Sequence, residues 1–542
     1  MQQPNILMVV LDTQRADRLS CYNPSHRDPE RPPTTPCLDR FAEESTLFER
    51  AISPAQWTIP AHASMFTGEY PSTHQTVQAD IELGREFPTL AEILKLGGYH
   101  TVGFCNNPLV GVLKNGLRRG FEAFYNYGGA LPTRPAAATP LPPPLNFLLE
   151  QYTQFWRKLS YPLQNAFAKS DRLFQLALHP WLVPLWTKAI SFKGNTAESL
   201  RDVSRFLRQA ALDQSRPQEQ NKPFFCFVNL MEPHLPYWPP EPFIQKFAPY
   251  FLQDRAARDF LRQYNHQPYR WMAPLPEPLT PLQSQVLSDI YDAEVAYQDH
   301  LLGSLFETLH NTGLDSNTLV VVVADHGEGL GEHQFVGHAF VVYEELVRVP
   351  LIIRYPQQFP AGARIATPVS TRRLFHTLLE VAGIPFATAQ ASSQALLNRQ
   401  QRREISRLSL SRTLVGEDPE QATVLSEGFP PHILIRAMEK RADQQLQRFA
   451  CHTIRRALYQ GSQKLVQVGS TPSLYHLEAD PSESQDLLQA DPQSAAHLQS
   501  LLQTQVAAAE ARRPHRLTDP TPIDLTSDAN LVKQMQELGY LE

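Results

Sequence analysis

The chain has 542 residues, 42% of them hydrophobic and 19% charged, with a net charge of −6. That length exceeds one ordinary core and predicts a large α/β domain with a smaller appendage. The acidic balance excludes a global basic field for nucleic acid, and no uninterrupted apolar stretch approaches the roughly 18 residues needed to cross a bilayer.

Asn-Ile-Leu-Met-Val-Val-Leu-Asp at 5–12 reads as an apolar strand that ends on Asp12, with Asp17 in the loop beyond. The strand begins by residue 5 and leaves no room for a signal peptide, so a cytoplasmic location is expected. In the stretch 53–68, Pro60 suits a first helical turn, which puts Thr58 at a helix N-terminus. There its hydroxyl is either an ordinary N-cap or faces the unpaired N–H groups and positive dipole end that suit an anionic substrate. Pro88–Leu96 is expected as a helix and Tyr99–Cys105 as a strand, with Asn106 and Asn107 just past its end. Residues 130–192 break this pattern. Six prolines fall between Pro132 and Pro144, followed by aromatic clusters at Phe155-Trp156 and from Trp181 to Trp186. Regular helix or central strand is excluded there, and a lid, a peripheral membrane or lipid contact, or an insertion packing on its own domain are the open readings.

Pro223–Leu230 makes another strand, followed by Glu232-Pro233-His234. Pro281–Asn311 is a long helix whose Leu287, Ile290, Tyr291, Ala293, Glu294, Tyr297, Leu301 and Leu305 follow three- and four-residue steps, a core stripe. Leu319–Ala324 reads as a buried strand that releases Asp325 and His326 into a glycine-rich turn, with His333, Gly337 and His338 further on. Pro350–Arg354 and the helix Thr371–Ala382 complete the alternation, and Gln390–Arg412 reads as a polar linker. Strands alternating with helices predict a mainly parallel central sheet with helices on both faces. In such a sheet a carboxylate and an imidazole released at strand ends suit a divalent metal. The five cysteines form no Cys-x-x-Cys pair, and Cys105 and Cys226 lie in apolar strands as small hydrophobes, which favours a reducing compartment.

Asp12, the Thr58 helix start, Glu232-Pro233-His234, Asp325-His326 and Gly337-His338 occur in the order seen in the sulfatase family, and the chain resembles that family from about residue 4 to 385. The likeness resumes weakly at Leu474–Pro481, which looks like the family's C-terminal subdomain. The resemblance implies an alkaline-phosphatase-like α/β fold. It implies a catalytic domain over 1–390, a linker over 391–420, a small C-terminal α+β subdomain over 421–510 and a tail over 511–542. It also implies a metal-dependent hydrolase whose single divalent ion (Mn, Ca or Mg) is held by Asp12, Thr58, Asp325 and His326. A second ion would need an Asp four residues before His234, where this chain has Leu230.

One departure bears on the chemistry. Sulfatases commonly carry Cys or Ser in a Cys/Ser-x-Pro-x-Arg motif and oxidise it to formylglycine, whereas this chain reads Thr58-Ile59-Pro60-Ala61-His62. Oxidised threonine would be a ketone, and His62 replaces the Arg that holds the modified residue. Thr58 instead resembles the threonine nucleophile of phosphodiesterases and phosphonate monoester hydrolases in the same superfamily. The expected enzyme cleaves phosphate, phosphonate or sulfate esters of a small anionic substrate through a covalent Thr58 ester. His234 and His338 would serve the leaving group, His62 would orient Thr58 or fill the space of the missing Arg, and Asn106 and Asn107 would contact substrate. Asp17 and His333 are outer candidates. The alternatives are a sulfate-ester hydrolase without formylglycine and a catalytically silent binding protein.

Overall fold

The computed structural model describes residues 3–23, 32–128, 134–135, 193–214, 221–266, 271–384 and 397–514. The insertion at 130–192, apart from Arg134 and Pro135, and the tail from 515 lie outside the described residues, so the lid and lipid-contact readings are not addressed by this structure.

Eight strands form the central sheet: β1 (Asn5–Leu11), β2 (Thr46–Phe48), β3 (His100–Cys105), β4 (Ala123–Asn126), β5 (Phe224–Leu230), β6 (Thr318–Ala324), β7 (Leu351–Arg354) and β8 (Arg364–Ile365). Their order is β8-β2-β7-β6-β1-β5-β3-β4. Only the pairings of β7 with β6 and β2 are antiparallel, so the sheet is mixed but mainly parallel. All seven residues of β1 are buried, as are all seven of β5 and of β6. Such unbroken apolar runs are what a strand covered on both faces requires.

Two groups of helices flank this sheet. The long helix α4 (Pro281–Asn311) packs with α3 (Thr196–Gln214) and with the short helix Pro36–Glu43, while α5 (Leu374–Ala382) packs with α1 (Thr58–Thr67) and α2 (Leu90–Leu96). Thr89 opens α2 with a reciprocal capping box to Glu92, and Thr280 does the same for α4 with Gln283. Of the expected α4 stripe, Leu287, Ile290, Tyr291, Ala293, Glu294 and Leu305 are buried. Every residue of α1 is buried, its polar Thr58, His62, Ser64 and Thr67 included, so the helix is enclosed on all sides. Gly68 ends it at φ 76, where a Cβ would meet His376 Cε1 at 2.6 Å.

Part of the stretch expected as a linker is helical. Residues 399–408 and 410–414 are helices α6 and α7, packed on α5, with Leu397, Ile405, Leu408 and Leu410 buried. The Arg- and Gln-rich outer face of α6 gives the segment its polar composition, while its few apolar residues all turn inward. Beyond it, β9 (Thr423–Gly428), β10 (Arg455–Gln460), β11 (Gln463–Val468) and β12 (Thr471–His476) make an antiparallel sheet covered by α8 (Pro492–Ala511). This small unit docks on the main one through buried charges. Glu427 accepts hydrogen bonds from Ser72 N and Ser72 Oγ. Lys464, fully buried, reaches Glu344 at 3.2 Å and Glu483 at 2.8 Å. Among the described residues no helix is long and apolar enough to cross a membrane.

Candidate active site

Strands β1, β3, β5 and β6 run parallel, so their carboxyl ends open on one edge of the sheet, where open α/β sheets build their sites. Leu11 pairs with Ala324, so Asp12 and Asp325 stand side by side one residue past the same rung. The chain leaves Asp12 through Thr13 at φ 58, a left-handed conformation rare for a β-branched residue. Tyr291 Oη steadies that turn by donating to Thr13 O at 2.7 Å and accepting from Arg15 N at 3.0 Å. After β6, His326 N closes onto Asp325 Oδ1 at 2.9 Å, and Ser53 Oγ donates to the Asp325 carbonyl.

The three side chains converge. One donor atom from each of Asp12, Asp325 and His326 lies within 4.8 Å of the other two. His326 Nε2 is 3.7 Å from Asp12 Oδ1 and 3.5 Å from Asp325 Oδ2. Both of those carboxylate oxygens are buried without a hydrogen-bond partner. His326 Nδ1–H donates to Gly327 O at 2.9 Å, which leaves the Nε2 lone pair facing them. Burial pushes both carboxyls up to about 8, and for Asp12 the charge of Asp325 adds to the effect. Two orphan carboxylate oxygens and one imidazole lone pair form a donor set that could hold a hard or borderline divalent cation.

Thr58 is the first residue of α1; Trp57 occupies the cap position and makes no side-chain cap bond. The N-cap alternative is therefore set aside. Thr58 Oγ1 lies 3.2 Å from His326 Nε2, beside the carboxylates. Asn107 Nδ2 donates to Asp12 Oδ2 at 2.5 Å and lies 3.4 Å from Thr58 Oγ1. Asn106 also sits at the end of β3, but its Nδ2 donates to Thr196 Oγ1 at 2.9 Å, while its Oδ1 is buried without a partner. His62 does not touch the Thr58 hydroxyl. Its Nδ1–H donates to Thr58 O at 2.9 Å, and the same nitrogen lies 3.4 Å from Asp325 Oδ2. Its ring packs edge-on against Phe66 and Phe227, and burial holds it neutral with a pKa near about 3.

The ring of His338 lies between those of His326 and His234, with centroids 4.5 and 5.1 Å away. Burial, helped by neighbouring imidazoles, lowers the pKa of both His234 and His338 well below the usual range. His234 Nδ1–H donates to Leu235 O at 2.5 Å, and its Nε2 is buried without a partner. The outer candidates stand apart from the cluster: Asp17 pairs with Arg15 at 2.8 Å, and His333 stacks on Tyr343 at 3.8 Å.

Three residues of this region escape sequence reasoning. Asn229 points from β5 toward Asp12, with Nδ2 at 3.5 Å from Oδ2. Glu328 contacts His338. Lys193 pairs with Glu294 at 3.0 Å, and its charge is felt by Glu232, His234 and Glu328. Asn229 sits inside an apolar run where its polarity was the one available signal; Lys193 borders the irregular insertion and carries none.

A family model described as Sulfatase matches residues 4–384. The uncharacterized sulfatase YidJ of Escherichia coli (strain K12) is 26% identical over 392 residues, covering 71% of this chain and 69% of that protein. An ulvan-active sulfatase of Formosa agariphila is 25% identical over 389 residues, covering 70% of this chain and 62% of its own length. The solved phosphonate monoester hydrolase of Agrobacterium radiobacter superposes with a TM-score of 0.60 at 21% identity, over 94% of this chain and 96% of that one. That likeness is one of fold.

Proposed function

This chain belongs to the sulfatase family of ester-bond hydrolases, and we propose that it cleaves phosphate or phosphonate esters through Thr58 and a divalent cation held by Asp12, Asp325 and His326. The observation that carries this reading is the convergence of Thr58 Oγ1, His326 Nε2 and two orphan carboxylate oxygens at one sheet edge. A cation bound there supplies positive charge beside Thr58 and beside the substrate oxyanion, the physics that makes an alcohol acidic and stabilises developing negative charge. Mg²⁺, Mn²⁺ and Ca²⁺ suit an aspartate-rich donor set of this kind.

Thr58 Oγ1, whose proton a bound cation would displace to solvent, attacks phosphorus in line as the bond to the leaving oxygen breaks and that oxygen keeps the electron pair; water later hydrolyses the covalent Thr58 ester. Asn107 holds Asp12 and the attacking oxygen in register through a single amide. The N-terminus of α1 offers unpaired backbone N–H groups to a substrate oxygen. His234 and His338, neutral in the free site, take up protons when a dianionic ester arrives and serve the leaving oxygen. His62 acts on the backbone of Thr58 and on Asp325 rather than on the hydroxyl.

Sulfate esters are the second reading, favoured by the sulfatases among the relatives; Thr58 would then act unmodified, since its oxidation gives a ketone. A cytoplasmic location is part of the proposal, supported by the buried free thiols of Cys105 and Cys226, as is a catalytic unit ending near residue 390 with a small unit over 421–510. Turnover of aryl phosphate, phosphonate and sulfate esters by the purified protein, with chelator or with each metal, tests the reading. Full activity in chelator would sink the metal role, and inactivity on all three would sink the hydrolase.

A further inference from the structure

The short hairpin that returns the chain from His326 to His338 touches two different regions. Its strands, Gly329–Leu330 and Val336–Gly337, pair antiparallel with Gly329 opposite Gly337, so the next rung sets Glu328 opposite His338 at the base. The tip, from Gly331 to Phe335, lies at the other end and meets the small C-terminal unit. There the Phe335 ring packs edge-on against Phe449 with centroids 5.2 Å apart, and His333 stacks on Tyr343. Beside these rings is a cavity of about 600 Å³, inside the range of roughly 300–1,000 Å³ usual for small-molecule sites. Among the described residues that line it are Arg448 and Arg455, and none is Asp or Glu.

Arg455 opens β10 and is only 5% exposed. One of its donors is accounted for, since Nη2 donates to Phe449 O just past the helix His432–Arg448, where a positive charge is favoured. Its guanidinium also lies 5.8 Å from the centre of the Phe335 ring. Burial lowers its pKa, and the neighbours that favour its charge are Cys451 and Tyr343 rather than a carboxylate. Burial pushes the Cys451 thiol up to about 11, so that neighbour is neutral. Among the described residues no carboxylate pairs with Arg455. A guanidinium withdrawn from water without a counter-charge is costly, and one carbonyl occupies one of its five donors. Closing the helix explains the bond to Phe449 O; it does not explain an open cavity beside the same side chain. Arg448, exposed and held to Pro276 O at 3.4 Å, adds a second positive charge to the cavity wall.

We propose that this cavity binds a small organic acid with a flat apolar body, its carboxylate on Arg455 and Arg448 and its ring among Phe335, Tyr343 and Phe449. The planar fork of an arginine matches the two oxygens of a carboxylate, and aromatic walls favour a flat ring. The site stands apart from the ester-hydrolase reading and does not depend on it.

Calorimetric titration of the full chain, with Mn²⁺ present, tests this with two probes of one shape: 2-naphthoate and the uncharged 2-naphthylmethanol. Naphthoate should bind, and the alcohol about tenfold or more weakly, the discrimination expected of a charge-assisted hydrogen bond. Arg455→Gln and Arg448→Ala should each lower naphthoate affinity by about five- to tenfold and leave that of the alcohol unchanged. Asp325→Asn, at the sheet edge, should bind naphthoate as wild type does. If Arg455→Gln does not fold, Arg448→Ala, on an exposed residue, decides alone. Equal affinity for the two probes, unchanged naphthoate affinity in the deciding variant, or no binding of naphthoate up to several millimolar would overturn the proposal. Loss of naphthoate binding in Asp325→Asn would place the acid at the candidate active site and overturn it as well. None of these outcomes bears on turnover of esters.

Discussion

The amide of Asn107 holds the carboxylate of Asp12 at 2.5 Å, and the contact fixes which oxygen of Asp12 is spoken for. Oδ2 takes the hydrogen bond and Oδ1 is left facing His326. Asn107→Ala should therefore weaken divalent-cation affinity and lower kcat, each by about 10–100-fold, as loss of an outer partner of a metal ligand generally does. Calorimetric titration with Mn²⁺ beside steady-state kinetics checks this. Unchanged metal affinity would show that Asp12 needs no such support. A fall in stability of about 1 kcal/mol should accompany the change, because Asn107 Oδ1 also accepts from Leu109 N at the start of a short helix.

The two raised carboxyls give the metal-free protein a recognisable pH dependence. Burial lifts both Asp12 and Asp325 from an ordinary value near 3.8 to about 8. Below about pH 4 both are protonated whether the chain is folded or not. Between about pH 4 and about pH 8 the folded protein keeps protons that the unfolded chain has released, so these groups contribute less stability as pH rises through that window. A bound cation displaces those protons. Saturating Ca²⁺ or Mg²⁺ should accordingly raise Tm more near pH 8 than near pH 5. Equal shifts at the two values, measured against chelator controls, would mean that the carboxyls are not the ligands.

Thr58→Ala removes the attacking oxygen and should reduce turnover by about 10⁴-fold or more, whereas Thr58→Ser keeps a hydroxyl and part of the activity. Mass spectrometry of acid-quenched wild type should find a phosphoryl-type adduct on the peptide containing Trp57-Thr58-Ile59. Thr58→Cys alone should bring no efficient sulfatase activity, because His62 stands where the family's Arg holds the modified residue; addition of His62→Arg is the necessary second change. An alanine variant as active as wild type would remove Thr58 from the mechanism.

Lys464→Ala should destabilise the protein by about 3–5 kcal/mol, because it strands Glu483 and leaves Glu344 without its buried cation partner. Lys464→Arg should restore part of this. Denaturant unfolding of both variants, compared at equal m-values, measures the effect, and a loss under about 1 kcal/mol would show that water reaches the two carboxylates once the lysine is gone.

The legible parts of this chain were those where one physical demand dominates. A strand covered on both faces must be apolar throughout, so β1, β5 and β6 announced themselves, and Asp12 and Asp325 were conspicuous as the first charges beyond them. Thr58 was findable because Pro60 marks a helix start. The packed helix α6 was missed because its burial depends on four apolar residues spread through a polar segment. Glu328 and Lys193 were missed for another reason. Their partners lie across a hairpin rung and on the far helix α4, and no local pattern encodes a pairing of that kind.

The rung that sets Asp12 beside Asp325 joins residues far apart along the chain: 325 − 12 = 313 positions separate the two carboxylates. Such a pairing closes late, since the entropy of ordering so long an intervening segment is lost before the contact returns anything. No partial chain emerging during synthesis can hold both halves of the donor set until β6 has been made and has found β1. A cation held by this donor set would therefore not template early folding, as it does in small zinc modules. It would instead report completion, since the two carboxylates face each other only in a chain whose sheet is closed.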